Sequence, residues 1–499
     1  MSGALLVCGT HSDAGKSVVV AGICRWLARE GVRVAPFKAQ NMALNSFVTR
    51  EGAEIGRAQA AQAAAARVEP EAAMNPVLLK PSAGERTQVV VLGRPYATAS
   101  AASYQDMKPE LLPVVLGALE GLRRRFEAVV CEGAGSPAEI NLRESDLANM
   151  GLARAAGLPV VLVGDIDRGG LFASLYGTLA LLSPRDRELV RGFVVNKFRG
   201  DAAILAPGLA ELSRRTGRPF LGTLPFAPGI GLDGEDSLAL REAGEGAPGG
   251  DVLRVAVVRL GRMSNFTDLD PLLFEPGVAV RFTRSAAEVL DADLAVVPGT
   301  KATVEDLGGL RAAGLDRALA ARARRGLPTL GLCGGYQMLG RRIVDGVEGE
   351  VPEAEGLGLL PVETVFEPEK VLARPSGRAP LFGDEEVSGY EIHHGRTARL
   401  GGEPLFVTRE GGGEGCRVGA VLGTSWHGVL ECDGFRRALL GWVAGVRGLG
   451  WEPGDLSFAA LREERLERLG DLVAEHLDRD ALLGIMEGAG RREGAGALP

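Results

Sequence analysis

Two α/β domains, each a largely parallel sheet flanked by helices, are what this sequence predicts. Three observations carry the expectation. Continuous apolar runs of strand length at 4–9, 158–164, 192–195, 254–258 and 294–298 alternate with helical stretches, the pattern of parallel sheets covered on both faces. A Gly-, Glu- and Pro-rich stretch at 242–250 has linker composition and divides those runs into two groups. A chain of 499 residues is also long enough for two or three separate cores. The expected division is a first domain at 1–241, a linker at 242–250, a second domain at 251–437 and a helical tail at 438–499.

Composition removes several classes of function. Hydrophobic residues make up 46% and charged residues 24%, an ordinary soluble balance. The formal net charge is −8 and no run of Lys and Arg is dense enough for a phosphate backbone, so nucleic acid is not an expected partner. Residues 1–8 lack the basic stretch of a signal peptide, and no segment is apolar for long enough to cross a bilayer. The expectation is a cytoplasmic protein with no membrane partner. The six cysteines are scattered without a CxxC pair, which indicates neither zinc nor a disulfide framework.

The run at 4–9 leads into Thr10-His-Ser-Asp13-Ala-Gly15-Lys16-Ser17 and then into a helix at 18–29. Strand, glycine-containing loop and helix in that order make a phosphate-binding loop. Backbone amides would cradle the phosphates of ATP, Lys16 would reach the β- and γ-phosphates, and Ser17 would hold Mg²⁺. Thr10 stands where the usual pattern has its first glycine, with Gly9 one residue earlier. The candidate nucleotide-binding residues here are Thr10, Asp13, Gly15, Lys16 and Ser17. A strand at 126–131 ends on Glu132-Gly-Ala-Gly135, and a carboxylate at that end of a strand takes Mg²⁺ beside Ser17. Asn196-Lys197, at the end of another apolar run, looks like the base-reading loop of purine-nucleotide folds, with Asp201 one residue further on than in GTPases. An Asn-Lys turn explains the pair equally well.

In the second half, Thr329–Gly340 reads T-L-G-L-C-G-G-Y-Q-M-L-G. A short buried strand, a glycine-flanked Cys333 and a helix start have the form of a nucleophile elbow with cysteine in place of serine. Glycines relieve the clash at so tight a turn, and the helix amides favour a thiolate and an oxyanion beside it. A thiolate needs a base. His427, in Gly423-Thr-Ser-Trp-His427-Gly428, is the best candidate. Its position 94 residues after Cys333 (427 − 333) leaves the pairing to the fold.

These features resemble known families. The elbow is similar to that of class I glutamine amidotransferase domains, which release ammonia from glutamine, and the first domain to dethiobiotin synthetase-like P-loop proteins. That resemblance makes Gly299, after the run 294–298, and Gly334 the candidate oxyanion-hole residues. Other amidotransferases of this type carry a glutamate two residues beyond the histidine; here that position is Val429, and what orients the imidazole stays open. Over essentially the whole chain, F-K-A-Q-N-M-A-L-N-S at 37–46, G-R-A-Q at 56–59 and M-N-P-V-L-L-K-P at 74–81 resemble the cobyric acid synthases, glutamine-dependent amidases of cobalamin biosynthesis. That resemblance implies a corrinoid carboxylic acid, glutamine and ATP as substrates, with ATP and Mg²⁺ serving the first domain. It implies a role in structure or glutamine contact for Gly389-Tyr390-Glu391-Ile-His393-His394-Gly395-Arg396. Two rivals stand beside it: the sister amidase of the a and c carboxylates of cobyrinic acid, and a P-loop nucleotide-switch ATPase. Nothing in the sequence sets the oligomeric state.

Overall fold

The computed structural model describes residues 3–490 apart from 83, 85, 231, 233–251 and 350. The linker expected at 242–250, with the domain limits 241 and 251 beside it, lies outside the described residues.

In the first domain six strands run in the spatial order Phe220–Pro225, Val190–Phe198, Val160–Asp165, Gly3–Gly9, Ala128–Glu132 and Val34–Phe37. Every pairing is parallel. Successive strand side chains point to opposite faces, and here each face feeds its own core. Leu6, Cys8, Val129, Val160 and Leu162 pack into one, while Leu5, Val7, Val130, Val161 and Val163 pack into the other. That is why the runs are apolar throughout rather than alternating. Strand order reverses at Gly3–Gly9, and the carboxyl ends at such a switch point form a crevice. The phosphate loop, Glu132, Asp165 and Asn196 all stand at that end.

Between Val34–Phe37 and the helix Ala101–Arg125 the chain adds a four-stranded sheet of Gln40–Met42, Val77–Pro81, Thr87–Val91 and Arg94–Ala99. It also adds a hairpin of Ser46–Val48 with Glu54–Gly56, followed by the helix Arg57–Ala65.

The second domain has its own six-stranded sheet, in the order Val278–Thr283, Leu253–Val258, Leu294–Val297, Thr329–Leu332, Val421–Thr424 and Cys416–Val418. Only the last of these pairs antiparallel. Two four-stranded sheets from 342 to 414 are inserted between the strand before Cys333 and the strand before His427. They account for the long separation of those two residues. The stretch 374–383, which reads as a surface loop, holds the strand Ser376–Ala379, paired with Glu385–Ser388 and Phe406–Thr408. A Cβ on Gly377 would lie 2.3 Å from the Val407 carbonyl oxygen, so this glycine permits close strand approach rather than marking a turn.

The expected limit at 437 falls inside the helix Asp433–Arg447. Its apolar residues Phe435, Leu439, Leu440 and Val443 form one face and belong to the second domain's core, so the helix cannot be divided there. The two helices beyond it, Phe458–His476 and Arg479–Gly490, return to the first domain. Leu466, Leu469 and Val473 pack with Ile23 and Leu27, and buried Arg25 donates to Glu463 at 2.6 Å and Glu467 at 2.8 Å.

Candidate active site

Cys333 occupies the single position between the strand Thr329–Leu332 and the helix Gly334–Leu339, with φ 47° and ψ −107°. A non-glycine residue in that region is strained, and its surroundings leave no room to relax. A Cβ on Gly335 would lie 1.9 Å from the Val297 carbonyl oxygen, and one on Gly331 would lie 2.8 Å from the Tyr336 nitrogen. Glycine on both sides is therefore a packing requirement of the elbow. The Cys333 amide donates to the Thr424 carbonyl at 2.8 Å, locking the turn to the neighbouring strand.

Leu294–Val297, Thr329–Leu332 and Val421–Thr424 are adjacent in the sheet. The segments leaving their carboxyl ends bring Gly299, Cys333 and His427 into one buried place. A Cβ on Gly299 would stand 3.1 Å from His427 Cε1, and Cys333 is near enough to the imidazole to favour its protonated form. A Cβ on Gly334 would stand 3.0 Å from the Thr300 nitrogen, so both candidate oxyanion-hole residues border this place.

The residue that sequence reasoning missed is Asp268. Its Oδ2 lies 2.6 Å from His427 Nδ1, and its Oδ1 accepts a hydrogen bond from the Gly428 amide at 2.9 Å. Asp268 arises from the segment after Leu253–Val258, the next strand in the same sheet. Burial disfavours the imidazolium, but the Asp268 carboxylate and Cys333 outweigh it and raise His427 to about 10. The one available signal was a carboxylate enclosed by the apolar residues of Phe266-Thr-Asp268-Leu269. Glu431 does not face the histidine; it pairs with Arg57 at 2.5 Å and Arg462 at 3.1 Å.

Tyr390 lays its ring on that of His427, with centroids 5.4 Å apart and planes 23° from parallel. A cavity of about 20 Å³ adjoins Cys333, lined by Asn265, Lys301, Gln337, Lys370, His393 and, from the first domain, Lys80. That space holds one molecule the size of water or ammonia. Glu54 joins the domains behind it, accepting from Lys80 at 2.6 Å and Lys370 at 2.5 Å. Burial pushes the Lys370 ammonium down to about 7 against the pull of Glu54. His394 is likewise held down, to about 4, chiefly by burial. A larger cleft of about 830 Å³, lined by Arg378, Glu385, Thr408 and Cys432 among others, contains none of the candidate residues.

In the first domain, Gly15 has φ 94°, and a Cβ there would lie 2.0 Å from Asn196 Nδ2, so only glycine fits. Lys16 Nζ donates to the His11 carbonyl at 3.0 Å across the loop, and Thr10 Oγ1 lies 2.9 Å from His11 Nδ1. Asn196 Nδ2 donates to the Ala14 carbonyl at 3.0 Å, and Lys197 Nζ donates to the Asp13 carbonyl at 2.8 Å and to Asp165 at 2.7 Å. Both side chains thus brace the phosphate loop. Asp201 caps the helix Ala202–Thr216 by accepting from the Ala203 amide.

Ser17 Oγ donates to Glu132 Oε1 at 2.8 Å, Lys38 Nζ to the same oxygen at 2.9 Å, and Gln62 Nε2 to Oε2 at 2.5 Å. Glu132 is fully buried; Lys38 and the two neutral donors outweigh that burial and keep its carboxyl below the usual range. A hydroxyl and an ionised carboxylate side by side form a hard-oxygen pair suited to Mg²⁺. Lys38 already supplies positive charge to that carboxylate. Among the described residues no group of three or more His, Cys, Asp or Glu side chains is arranged to hold a metal, so the protein's share of such a site is small. Magnesium is commonly bound by one or two protein groups plus nucleotide phosphates.

Comparison with known proteins matches both domains to described families. Residues 5–237 match the CobQ/CobB/MinD/ParA nucleotide-binding domain, and residues 254–435 match the CobB/CobQ-like glutamine amidotransferase domain. Cobyric acid synthase of Streptomyces avermitilis is 59% identical over 496 residues, covering 98% of this chain and 97% of that protein. The Frankia casuarinae enzyme of the same name is 58% identical, covering 97% and 96%, and that of Streptomyces coelicolor is 57% identical, covering 100% and 99%. Full-length similarity at this level, across both domains, shows that the chain is a glutamine-dependent amidoligase belonging to the cobyric acid synthase family.

Proposed function

We propose that this enzyme converts adenosylcobyrinic acid a,c-diamide to adenosylcobyric acid, amidating the b, d, e and g carboxylates with nitrogen from glutamine. In the second domain His427 takes the proton of Cys333 as the sulfur attacks the side-chain amide carbon of glutamine. The oxyanion is stabilised by backbone amides at Gly299 and Gly334. The imidazolium gives its proton to the departing ammonia, and Asp268 keeps the ring in the required tautomer. Water, deprotonated by His427, then hydrolyses the thioester to glutamate and frees Cys333.

In the first domain a substrate carboxylate attacks the γ-phosphorus of ATP, and ADP leaves. Ammonia then attacks the acyl phosphate carbon and inorganic phosphate departs. Mg²⁺, when bound, neutralises charge on the transferring phosphoryl group. Ser17 and Glu132 would hold it, and Lys16 would carry the phosphate charge. Thr10, Asp13 and Gly15 shape the cradle, while Asn196 and Lys197 brace it through the Ala14 and Asp13 carbonyls and would contact the nucleotide from there.

The observation that carries this reading is the juxtaposition of Cys333, His427 and Asp268 in one domain, with Ser17 and Glu132 at the nucleotide end of the other. The cavity beside Cys333 also reaches Lys80 of the first domain, which supports release of ammonia toward the amidoligase rather than into solvent. The expected products are glutamate, ADP, phosphate and the amidated corrinoid. Mass spectrometry of the diamide incubated with enzyme, glutamine and ATP·Mg²⁺ tests the substrate: stepwise amidation to the hexa-amide is expected. An unchanged diamide alongside glutamine hydrolysis would remove the corrinoid assignment.

A further inference from the structure

The segment Met42-Ala-Leu-Asn45-Ser46 stands out in the sequence, yet neither half-reaction uses it. In the structure it is in the first domain but docks on the second. Asn45 Oδ1 accepts from the Phe266 amide at 3.0 Å, and Asn265 Oδ1 accepts from the Ser46 amide at 2.9 Å. All four groups are buried, so the two bonds form a reciprocal clamp protected from water. The clamped residues open the turn Phe266–Leu269, which carries Asp268. Asn265 enters that turn at φ 50°, and the Asp268 amide donates back to the Asn265 carbonyl at 3.0 Å. The clamp is thus three residues from the carboxylate that meets His427.

We infer that Asn45 is a positioning residue for glutamine hydrolysis, fixing from the opposite domain the turn that presents Asp268 to His427.

The neighbouring residue reinforces this. The Phe47 ring packs on Tyr390 with centroids 5.4 Å apart, and Tyr390 in turn stacks on His427 and exchanges two backbone hydrogen bonds with it, at 3.0 and 2.9 Å. Consecutive residues of the first domain therefore brace both the Nδ1 edge and the face of the imidazole. In the other direction, the Arg57 amide donates to the Asn45 carbonyl at 3.1 Å. Arg57 begins the helix whose Gln62 binds Glu132. A continuous set of contacts thus joins the metal-binding end of the nucleotide site to the glutaminase. The bland alternative is ordinary interface packing, with no effect on the histidine.

The inference rests on the amidotransferase reading, and the test separates the two. Glutaminase activity of the full chain would be measured against pH for wild type, Asn45→Ala, Asn45→Asp and Asp268→Asn. The charged or titratable groups facing His427 are Asp268 and Cys333, with the Tyr390 ring on its face. Asp268 favours the imidazolium, so loosening it moves the alkaline limb, where His427 loses its proton, to lower pH. Asn45→Ala is expected to lower kcat about 10- to 100-fold, with KM within about 2-fold. Its alkaline limb moves down by about one pH unit, in the direction of Asp268→Asn. Asn45→Asp keeps the acceptor for the Phe266 amide and keeps the limb at or above its wild-type position. Should Asn45→Ala not fold, Asn265→Ala removes the reciprocal acceptor and is read the same way. An alanine profile that superimposes on wild type, or that is scaled down with unmoved limbs, overturns the clamp alone. A wild type without glutaminase activity would overturn the functional reading, and the clamp with it.

Discussion

Asp268 Oδ2 lies 2.6 Å from His427 Nδ1, although the two residues are 159 positions apart in the chain. The acid lies far upstream of Cys333, on the segment leaving another strand of the sheet, and it also takes the Gly428 amide. It thereby fixes both the imidazole and the backbone beside it. In a buried Nδ1–H···carboxylate pair the acid sets the tautomer and stabilises the imidazolium.

Asp268→Asn keeps the shape of the side chain and removes the charge. Glutamine-dependent amidation should fall about 10²- to 10⁴-fold through kcat. Amidation supplied with ammonium instead should stay close to wild type, because the first domain needs only ammonia. Parallel assays with the two nitrogen sources check this, and equal loss with both would contradict the assignment.

Glu132→Gln should abolish the hard-anion site next to Ser17 while preserving side-chain volume. Its carboxyl is held ionised by Lys38, Gln62 and Ser17 despite full burial. Amidation and coupled ADP formation should drop about 100-fold or more with either nitrogen source, since charge on the transferring phosphoryl group is the main thing catalysis must offset. Titration of activity with Mg²⁺ should show a raised metal requirement in any residual rate.

Glu414 is half-buried in the second domain, and loss of hydration raises its carboxyl to about 8 despite bonds from the Ser425 amide and Thr424 hydroxyl. In the unfolded chain it ionises near the ordinary value of 4.5. Between those values unfolding releases a proton, so this group destabilises the fold increasingly as pH rises, levelling off above about 8. Glu414→Gln should therefore be more stable than wild type by a margin that is small near pH 5 and widest near pH 8. Denaturant midpoints at the two pH values provide the check, and a margin that shrinks with pH would refute it.

Arg25 is fully buried under the helix Phe458–His476, with Glu463 and Glu467 on its guanidinium. Those carboxylates are 54% and 33% exposed, so much of the pair's electrostatic attraction is screened. Arg25→Ala should still cost about 1–3 kcal/mol of stability through lost packing and lost hydrogen bonds, visible as a lower denaturant midpoint with both activities retained under native conditions.

The parts of this protein that were legible in its sequence are those written locally. An apolar strand, a special turn and a helix announce both the phosphate loop and the Cys333 elbow, because the close contacts at Gly15 and Gly335 permit only glycine. Parallel sheets were legible because their strands are apolar on both faces. Asp268 was not, since no spacing rule ties one loop of a sheet to another 159 residues away. The strand Ser376–Ala379 was hidden by a glycine present for close strand contact. The short strands at 40–56 fell below any periodicity. The limit drawn at 437 cut a helix whose apolar face is evident only against the sheet it covers. Lys38, within the motif at 37–46, and Gln62 carried no local sign that folding would bring them onto Glu132.

On the proposed mechanism one chain makes ammonia at Cys333 and uses it in its other domain. The most direct test is amidation of the a,c-diamide with glutamine labelled by ¹⁵N in its side-chain amide, in the presence of excess unlabelled ammonium and ATP·Mg²⁺. Direct delivery predicts ¹⁵N in the newly formed amides at well above its share of the total ammonia, and none transferred by Cys333→Ala, which would still amidate from the ammonium. Label at only the diluted level would contradict direct delivery between the sites, and label transferred by Cys333→Ala would contradict the role of Cys333 itself.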